Sequence, residues 1–415
     1  MTSLPPLSAE APTHRFRPGS PRGALSHRAF RWVFLGSFAS NIGTWMQNVT
    51  LAVVANRLTH QATFVGLVVF AQLGPTLFLA PLGGVVADRV NRKKIMICAA
   101  MAQTTFSLAL AVVAHGDNPS RVGLVLIVAG IGISGAFYAP AANATLPELV
   151  DRSDLAGAVS LNSFAMNASR VIGPLLATLF GGASMAWLVF SINGATYLFV
   201  IAAILVVNFS GEPPAHVGEG RRPGFIDGLK AVHADRVTER LLVTVAIYSL
   251  CSLIFIYQMP VLAQDNLGIT DRAYQFLFGT FGLGAAAGAI AVGTALANLP
   301  RPKVARVSLG AFAVSLAVFG LIRSPTWAFV IAFTTGFTYF VLITSMSTIL
   351  QQRVDDSMRG RVMGLWQMGW AGLVPVGSLV AGPIIDAHGV TPVILAGAAV
   401  AGALVFYADF EPRGT

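Results

Sequence analysis

The sequence predicts an all-α membrane protein whose twelve transmembrane helices form two pseudo-symmetric six-helix bundles. Three observations predict it. Residues of the AVILMFWYC set make up 55% of the 415 residues and charged residues only 11%, with a mean hydropathy of +0.70, whereas a soluble domain is about a quarter charged. Twelve windows stay apolar over the roughly 20 residues a helix needs to cross the hydrocarbon. A hydrophilic stretch falls midway along the chain, with six windows on each side. A β-barrel, the other structure that satisfies its backbone in lipid, would show short segments of alternating polarity instead.

The elements follow in order. An arm over 1–30 carries Arg15, Arg17, Arg22 and Arg28 and lacks the apolar core and cleavage site of a signal peptide, so the first span is expected to direct insertion. The N-terminal bundle, 31–208, holds spans at 32–54, 63–87, 95–114, 122–145, 156–180 and 185–207. The linker, 209–240, contains Pro213, Pro214, Arg221, Arg222 and Lys230. The C-terminal bundle, 241–409, holds spans at 241–264, 273–298, 305–322, 327–349, 362–385 and 390–408, followed by a tail, 410–415. Span nine is the weakest, because Arg306 must snorkel at its start. Cys98 and Cys251 both lie in apolar runs, so no disulfide or metal framework is expected.

Cation placement sets the orientation. All 27 Lys and Arg residues except Arg57, Arg121, Arg170, Arg272 and Arg323 fall in the arm, the even-numbered loops or the tail. Both termini are therefore expected in the cytoplasm. The basic balance is a topology signal and does not call for nucleic acid as a partner.

Self-similarity supports a duplication. Val150-Asp151-Arg152-Ser153 matches Val354-Asp355-Asp356-Ser357, and Gly173, Leu175 and Ala177 match Gly377, Leu379 and Ala381. A fainter echo sets Gly84, Arg92 and Lys94 against Gly293, Arg301 and Lys303. Two parallel six-helix repeats are typical of one class of secondary carriers.

The loop after span two reads Gly84-Val-Val-Ala-Asp88-Arg89-Val-Asn91-Arg92-Lys93-Lys94. It resembles the G-x-x-x-D-R-x-G-R-[RK] signature of the major facilitator superfamily, with Asn91 in place of the second glycine; Asn also tolerates a left-handed backbone. Ser40-Asn41-Ile-Gly43-Thr44-Trp45-Met46-Gln47, Tyr138-Ala-Pro140-Ala141 and Asn167-Ala-Ser-Arg170-Val-Ile-Gly173-Pro174 look like the enterobactin-exporter-like, drug-efflux branch. The resemblance covers nearly the whole chain and implies the major facilitator fold, efflux by alternating access and a bacterial inner-membrane location. It also implies a conformational latch of Gly84, Asp88, Arg89 and Arg92 with the start of helix eleven near Arg359 and Arg361. An anion gains there by facing a helix amino-terminus. Fixing topology alone is the plainer role for the same cations.

Ionisable groups in mid-membrane are functional suspects. Arg170, in span five, is the one charge well inside a span. Three readings stand open: it binds an anionic part of the cargo, it pairs with Asn41, Gln47 or Asn48 of span one, or it is a packed cation satisfied by carbonyls. Candidate substrate-binding residues deep in the spans are Asn41, Gln47, Asn48, Gln72, Tyr138, Asn167, Arg170, Tyr257, Gln258, Tyr339, Trp366, Gln367 and Trp370. Amides and aromatic rings with few charges suit a large, partly apolar, hydrogen-bonding small molecule; packing or interfacial anchoring explains any single ring equally well.

No Asp or Glu lies mid-span, and only Asp117, Asp265, Asp271 and Asp386 fall on the outer side. Proton antiport ordinarily needs a carboxylate in the pathway, so proton coupling is a family expectation, with Asp88, Asp265 and Asp386 as its candidate carriers. No H-E-x-x-H, G-x-S-x-G or G-x-x-x-x-G-K-[ST] occurs, which argues against a membrane enzyme and against ATP hydrolysis, and no cofactor or metal is called for. Exporter is the first expectation. An importer or exchanger of a metabolite with the same fold is the alternative, and a non-transporting sensor would show no flux.

Overall fold

The computed structural model describes residue 17 and residues 19–116, 119–212 and 225–411. Arg15 and the rest of the arm's first 16 residues, Asp117, Pro213, Pro214, Arg221 and Arg222 of the linker, and residues 412–415 of the tail lie outside the described residues. Among the described residues the chain is helical throughout, with no strand. The helices are α1 (Pro21–Ser26), α2 (Arg28–Thr59), α3 (Ala62–Ala87), α4 (Arg92–His115), α5 (Arg121–Thr145), α6 (Leu155–Ala177), α7 (Ala186–Val206) and α8 (Phe225–Ala234). They continue as α9 (Arg236–Cys251), α10 (Phe255–Asp265), α11 (Asp271–Gly293), α12 (Arg301–Leu321), α13 (Pro325–Arg353), α14 (Asp356–Gln367), α15 (Leu373–His388) and α16 (Val390–Tyr407). A π-helical turn, Met368–Gly372, joins α14 to α15.

Local chemistry starts these helices where the sequence changes character. Asn91 caps α4 by accepting the Lys94 N–H at 3.1 Å, and Ser120 caps α5 by accepting that of Gly123 at 3.1 Å, each satisfying one of the donors a helix start leaves open. The arm is anchored too. Asp154, just ahead of α6, accepts the Gly19 N–H at 3.0 Å and lies 3.0 Å from His27 Nε2.

Ten helical segments among the described residues are long and apolar enough to cross a membrane. The expected spans one and five, α2 and α6, are long helices that fall outside that group. Their polar content is the reason: α2 carries Asn41, Gln47, Asn48, Thr50 and Asn56, and α6 carries Asn162, Asn167, Ser169 and Arg170. Span nine meets the criterion, and Arg306 donates to the Val405 carbonyl of α16 at 3.1 Å. Span eight stops at Gly293, short of 298, and span seven starts at Arg236 and breaks between α9 and α10. There the Ser252 hydroxyl donates to the Gly397 carbonyl at 2.7 Å. Part of the expected linker is helical, as α8.

The helices up to α7 pack together, as do those from α9 onward, and the two halves meet chiefly along α3–α15 and α6–α11. Small residues permit the closest approaches. A Cβ on Gly284 or Gly288 of α11 would stand 2.0 Å from the Phe333 carbonyl oxygen or 2.4 Å from that of Phe337 in α13. One apolar core runs through the C-terminal half and across to Val49–Val54 of α2 and Phe64–Val68 of α3. A second, built from Phe30, Phe34, Met96, Leu149 and Ile204, stays within the N-terminal half at the end that carries the chain's start. The apolar core shared by the halves thus lies away from the end that carries the chain's start.

A cavity between two halves

One end of the molecule, the fused end, is held by polar contacts between the halves. Asn56 Nδ2 donates to Gln264 Oε1 at 2.6 Å, and Gln258 Nε2 donates to the Ala62 carbonyl at 3.2 Å. Arg57 Nε lies 2.8 Å from Asp271 Oδ2, an oxygen that also accepts the Ala183 N–H at 3.2 Å. Asp386 accepts the N–H groups of Ala62 at 2.6 Å and Thr63 at 3.0 Å, and the Thr63 hydroxyl as well. The first four N–H groups of a helix lack internal partners and carry its positive dipole end, so a carboxylate from the opposite half meets ready-made donors.

Below this seal a cavity of about 680 Å³ opens between the halves. Trp45 and Asn48 of α2, Leu73 and Leu77 of α3, Arg170 of α6, Tyr257 of α10, Phe278 and Phe281 of α11, and Tyr339 and Phe340 of α13 line it. Arg361 and Gln367 of α14, and Trp370 in the π-helical turn, complete the wall. The exposed residues Pro81, Met166 and Gly364 lie at its other end, toward Asp88. Among the described residues the wall holds two arginines and no carboxylate.

Arg170 is one of the lining residues. The guanidinium carbon lies 5.3 Å from the Phe340 ring centroid, 5.4 Å from Trp45 and 5.7 Å from Trp370. Ring quadrupoles attract the cation, but they accept no conventional hydrogen bond, and the buried Arg170 Nε has no partner. The side-chain carbonyl oxygens of Gln47 and Asn48 are engaged elsewhere. Gln47 accepts from Asn193 Nδ2 at 2.9 Å, and Asn48 Oδ1 accepts from Gln72 Nε2 at 2.6 Å. Three rings thus stand around the Arg170 guanidinium, and Gln47 and Asn48 accept hydrogen bonds from other residues.

Of the thirteen candidate binding residues, Asn48, Arg170, Tyr257, Tyr339, Gln367 and Trp370 line the cavity, and Gln72 stands behind Asn48. The others do not reach it. Gln47 and Gln258 are fully buried, Gln258 in the seal; Trp366 is 2% exposed and packed in the core. Tyr138 packs against the second core, Asn167 donates to the Ser163 carbonyl of its own helix, and Asn41 is partly exposed outside the lining. An amide in a helix interior signals a required partner, and here most partners are other helices.

Of the residues of the expected latch, Arg92 serves its own half. Arg92 is buried and turns into its own half, donating to Glu148 Oε1 at 3.0 Å and to the Ala144 and Ala87 carbonyls. It ties the ends of α3, α4 and α5 together rather than facing α14. A Cβ on Gly84 would meet nothing within 4 Å. Asp88 caps the end of α3, Arg89 is exposed, and Arg359 and Arg361 lie on α14. Asp265 and Asp386 are exposed at the fused end, away from the cavity wall. Trp45, Phe340 and Asp271 are not among the expected site residues. Trp45 stands one helical turn before Asn48, so its face was readable; Phe340 and Asp271 carried no such signal.

The family model for transmembrane secretion effectors matches residues 19–411. The chain belongs to that family. It is a multi-pass membrane transporter of the major facilitator superfamily and not an enzyme. Enterobactin exporter EntS of Escherichia coli O1:K1 is 27% identical over 346 residues, 82% of this chain and 81% of EntS. Nucleoside transporter NupG superposes with a TM-score of 0.72 at 13% identity, over 92% of this chain and 98% of NupG. A bacterial homologue of the human lysosomal transporter Spinster, in an inward-facing and unoccupied conformation, gives 0.69 at 16% identity, over 92% and 97%. At such identities the two structures speak for the fold alone.

Proposed function

We propose that this transporter is a secondary active exporter of a small molecule of the siderophore or drug-like class. Two six-helix bundles, 31–208 and 241–409, alternate around the cavity, with all twelve spans crossing the bilayer and both termini cytoplasmic. One observation carries the reading: a cavity lined from both halves, sealed at one end by contacts between them and opening toward the other. The cation bias assigns the open end to the cytoplasm, the side from which an exporter loads. The similarity to EntS favours outward transport and an organic cargo. Asp88, with Arg359 and Arg361 of α14, is the proposed latch of the cytoplasmic end. Protons are the proposed coupling ion. The cavity wall offers no carboxylate among the described residues, so Asp88, Asp265 and Asp386 are the candidate carriers, acting through the gates and not through the cargo site.

The test is accumulation in a susceptible bacterial host, with and without a protonophore, across siderophores and hydrophobic antibiotics. Expression is expected to lower accumulation of at least one compound, and the protonophore to abolish the effect. Accumulation unchanged for every compound contradicts export; a protonophore-insensitive effect contradicts the coupling.

A further inference from the structure

We propose that Arg170, with the rings of Trp45, Phe340 and Trp370, forms an acid-recognition subsite that selects a planar aromatic carboxylate over neutral or cationic compounds of the same shape. The inference rests on the cavity being the cargo site. It deepens that reading by naming the class of cargo.

Four features of the wall converge. The first is a charge without a counter-charge. Among the described residues no carboxylate pairs with Arg170 or lines the cavity, so an anion entering it displaces no internal competitor. The second is unspent donor capacity. A guanidinium has five N–H donors in a planar fork that matches a carboxylate, and the buried Nε of Arg170 has no acceptor.

The third is the polarity of the neighbouring groups. Tyr339 Oη accepts the Trp370 indole N–H at 3.0 Å, which leaves the phenol's own proton to donate. Asn48 spends its carbonyl oxygen on Gln72 at 2.6 Å, which leaves its amide N–H groups. The polar complement of the cavity is thus made mostly of donors, and it suits a ligand made mostly of acceptors. The fourth is the state of the rings. An aromatic box ordinarily attracts cations, but the three rings around Arg170 already hold one at 5.3 to 5.7 Å. A cationic drug would meet an occupied box and a like charge. A flat aryl group attached to the carboxylate has Phe278 and Phe281 to pack against in the same cavity.

The full chain in lipid nanodiscs, with no gradient imposed, separates this inference from export itself. Equilibrium dialysis with three isosteric probes supplies the readout: 2-naphthoate, 2-naphthamide and 2-naphthylmethylammonium. Wild type is expected to bind the acid at least about tenfold more tightly than the amide, and the ammonium most weakly, since charge-assisted bonds are roughly twice as strong as neutral ones. In R170Q the acid should fall to the level of the amide while amide binding holds. R170K keeps the charge but not the fork and should retain only part of the preference. Where R170Q does not fold, phenylglyoxal labelling of wild-type Arg170 decides, with protection expected from the acid and not from the amide.

A wild type without acid preference, an R170Q that keeps it, or an Arg170 that the acid leaves unprotected overturns the subsite. None of these results depends on flux. A chain that binds the acid as expected but moves nothing across vesicles overturns the carrier reading and leaves the subsite in place.

Discussion

Asp386, in the last turn of α15, accepts hydrogen bonds from the first two backbone N–H groups of α3, Ala62 at 2.6 Å and Thr63 at 3.0 Å. The two helices belong to different halves of the chain. The bond therefore exists only while this end of the molecule is closed, and its free energy bears on the balance between conformations rather than on either half alone.

Asp386→Asn removes the charge while keeping the size. An exposed anion at a helix amino-terminus contributes about 0.3–1 kcal/mol, so the closed population of this end should fall by up to about fivefold. Spin labels at Gln61→Cys and His388→Cys, in a Cys98→Ser, Cys251→Ser background, read the change as growth of a longer-distance component. An unchanged distribution would show that Asp386 caps α3 without gating it.

The salt bridge beside it should matter less. The Arg57 side chain is 54% exposed, where water and salt screen an ion pair to roughly 0–1 kcal/mol. Arg57→Gln is expected to shift the same distance distribution by less than Asp386→Asn. Asp271→Ala should act more strongly than Arg57→Gln, because Asp271 also holds the Ala183 N–H. Equal effects from both would mean that the backbone contact adds nothing.

What the sequence revealed and what it hid follow from the range of the forces involved. Apolar runs and cation placement are local or summed properties, so most of the helices stand within a few residues of where the sequence puts them. α2 and α6 are less apolar than the other long helices because they carry polar residues, Asn48 and Arg170 of the cavity wall among them. The cavity was half legible. Asn48, Arg170, Tyr257, Tyr339, Gln367 and Trp370 could be chosen for being polar or aromatic at depth. Whether an amide faces the hollow or a neighbouring helix depends on rotation about the helix axis, which separates Gln47, bound to Asn193, from Asn48 one position later. Asp386 was singled out as a proton carrier, but nothing local to it announces α3, 324 positions away.

Close packing at the sealed end makes a steric prediction. A Cβ on Gly66 would stand 2.5 Å from the Ser378 carbonyl oxygen, backbone of the other half. Gly66→Ala should force α3 and α15 apart, hold this end open and raise maleimide labelling of Gln61→Cys in the same cysteine-free background. Gly84→Ala, with open space around it here, should insert and label as the parent does. Labelling unchanged by Gly66→Ala would mean that the helices slide to accommodate a methyl group.

Outside the membrane, Asp235 joins the start of α9 to the end of α13. Arg353 grips it through Nε and a terminal nitrogen, both at 2.9 Å, and the carboxylate caps α9 by accepting the Thr238 N–H at 3.1 Å. The Arg353 hydrogen bonds hold the carboxyl well below the usual carboxylate range, against some desolvation. A folded-state value below the unfolded one gives stability that is present above the ordinary carboxylate range and lost as pH falls through the depressed value. Asp235→Ala should lower stability by about 1–2 kcal/mol, mostly from the lost cap. The deficit should be equal at pH 7 and pH 5.5 in thermal unfolding. A deficit larger at pH 5.5 than at pH 7 would mean that folding raises the carboxyl above its ordinary range instead of lowering it.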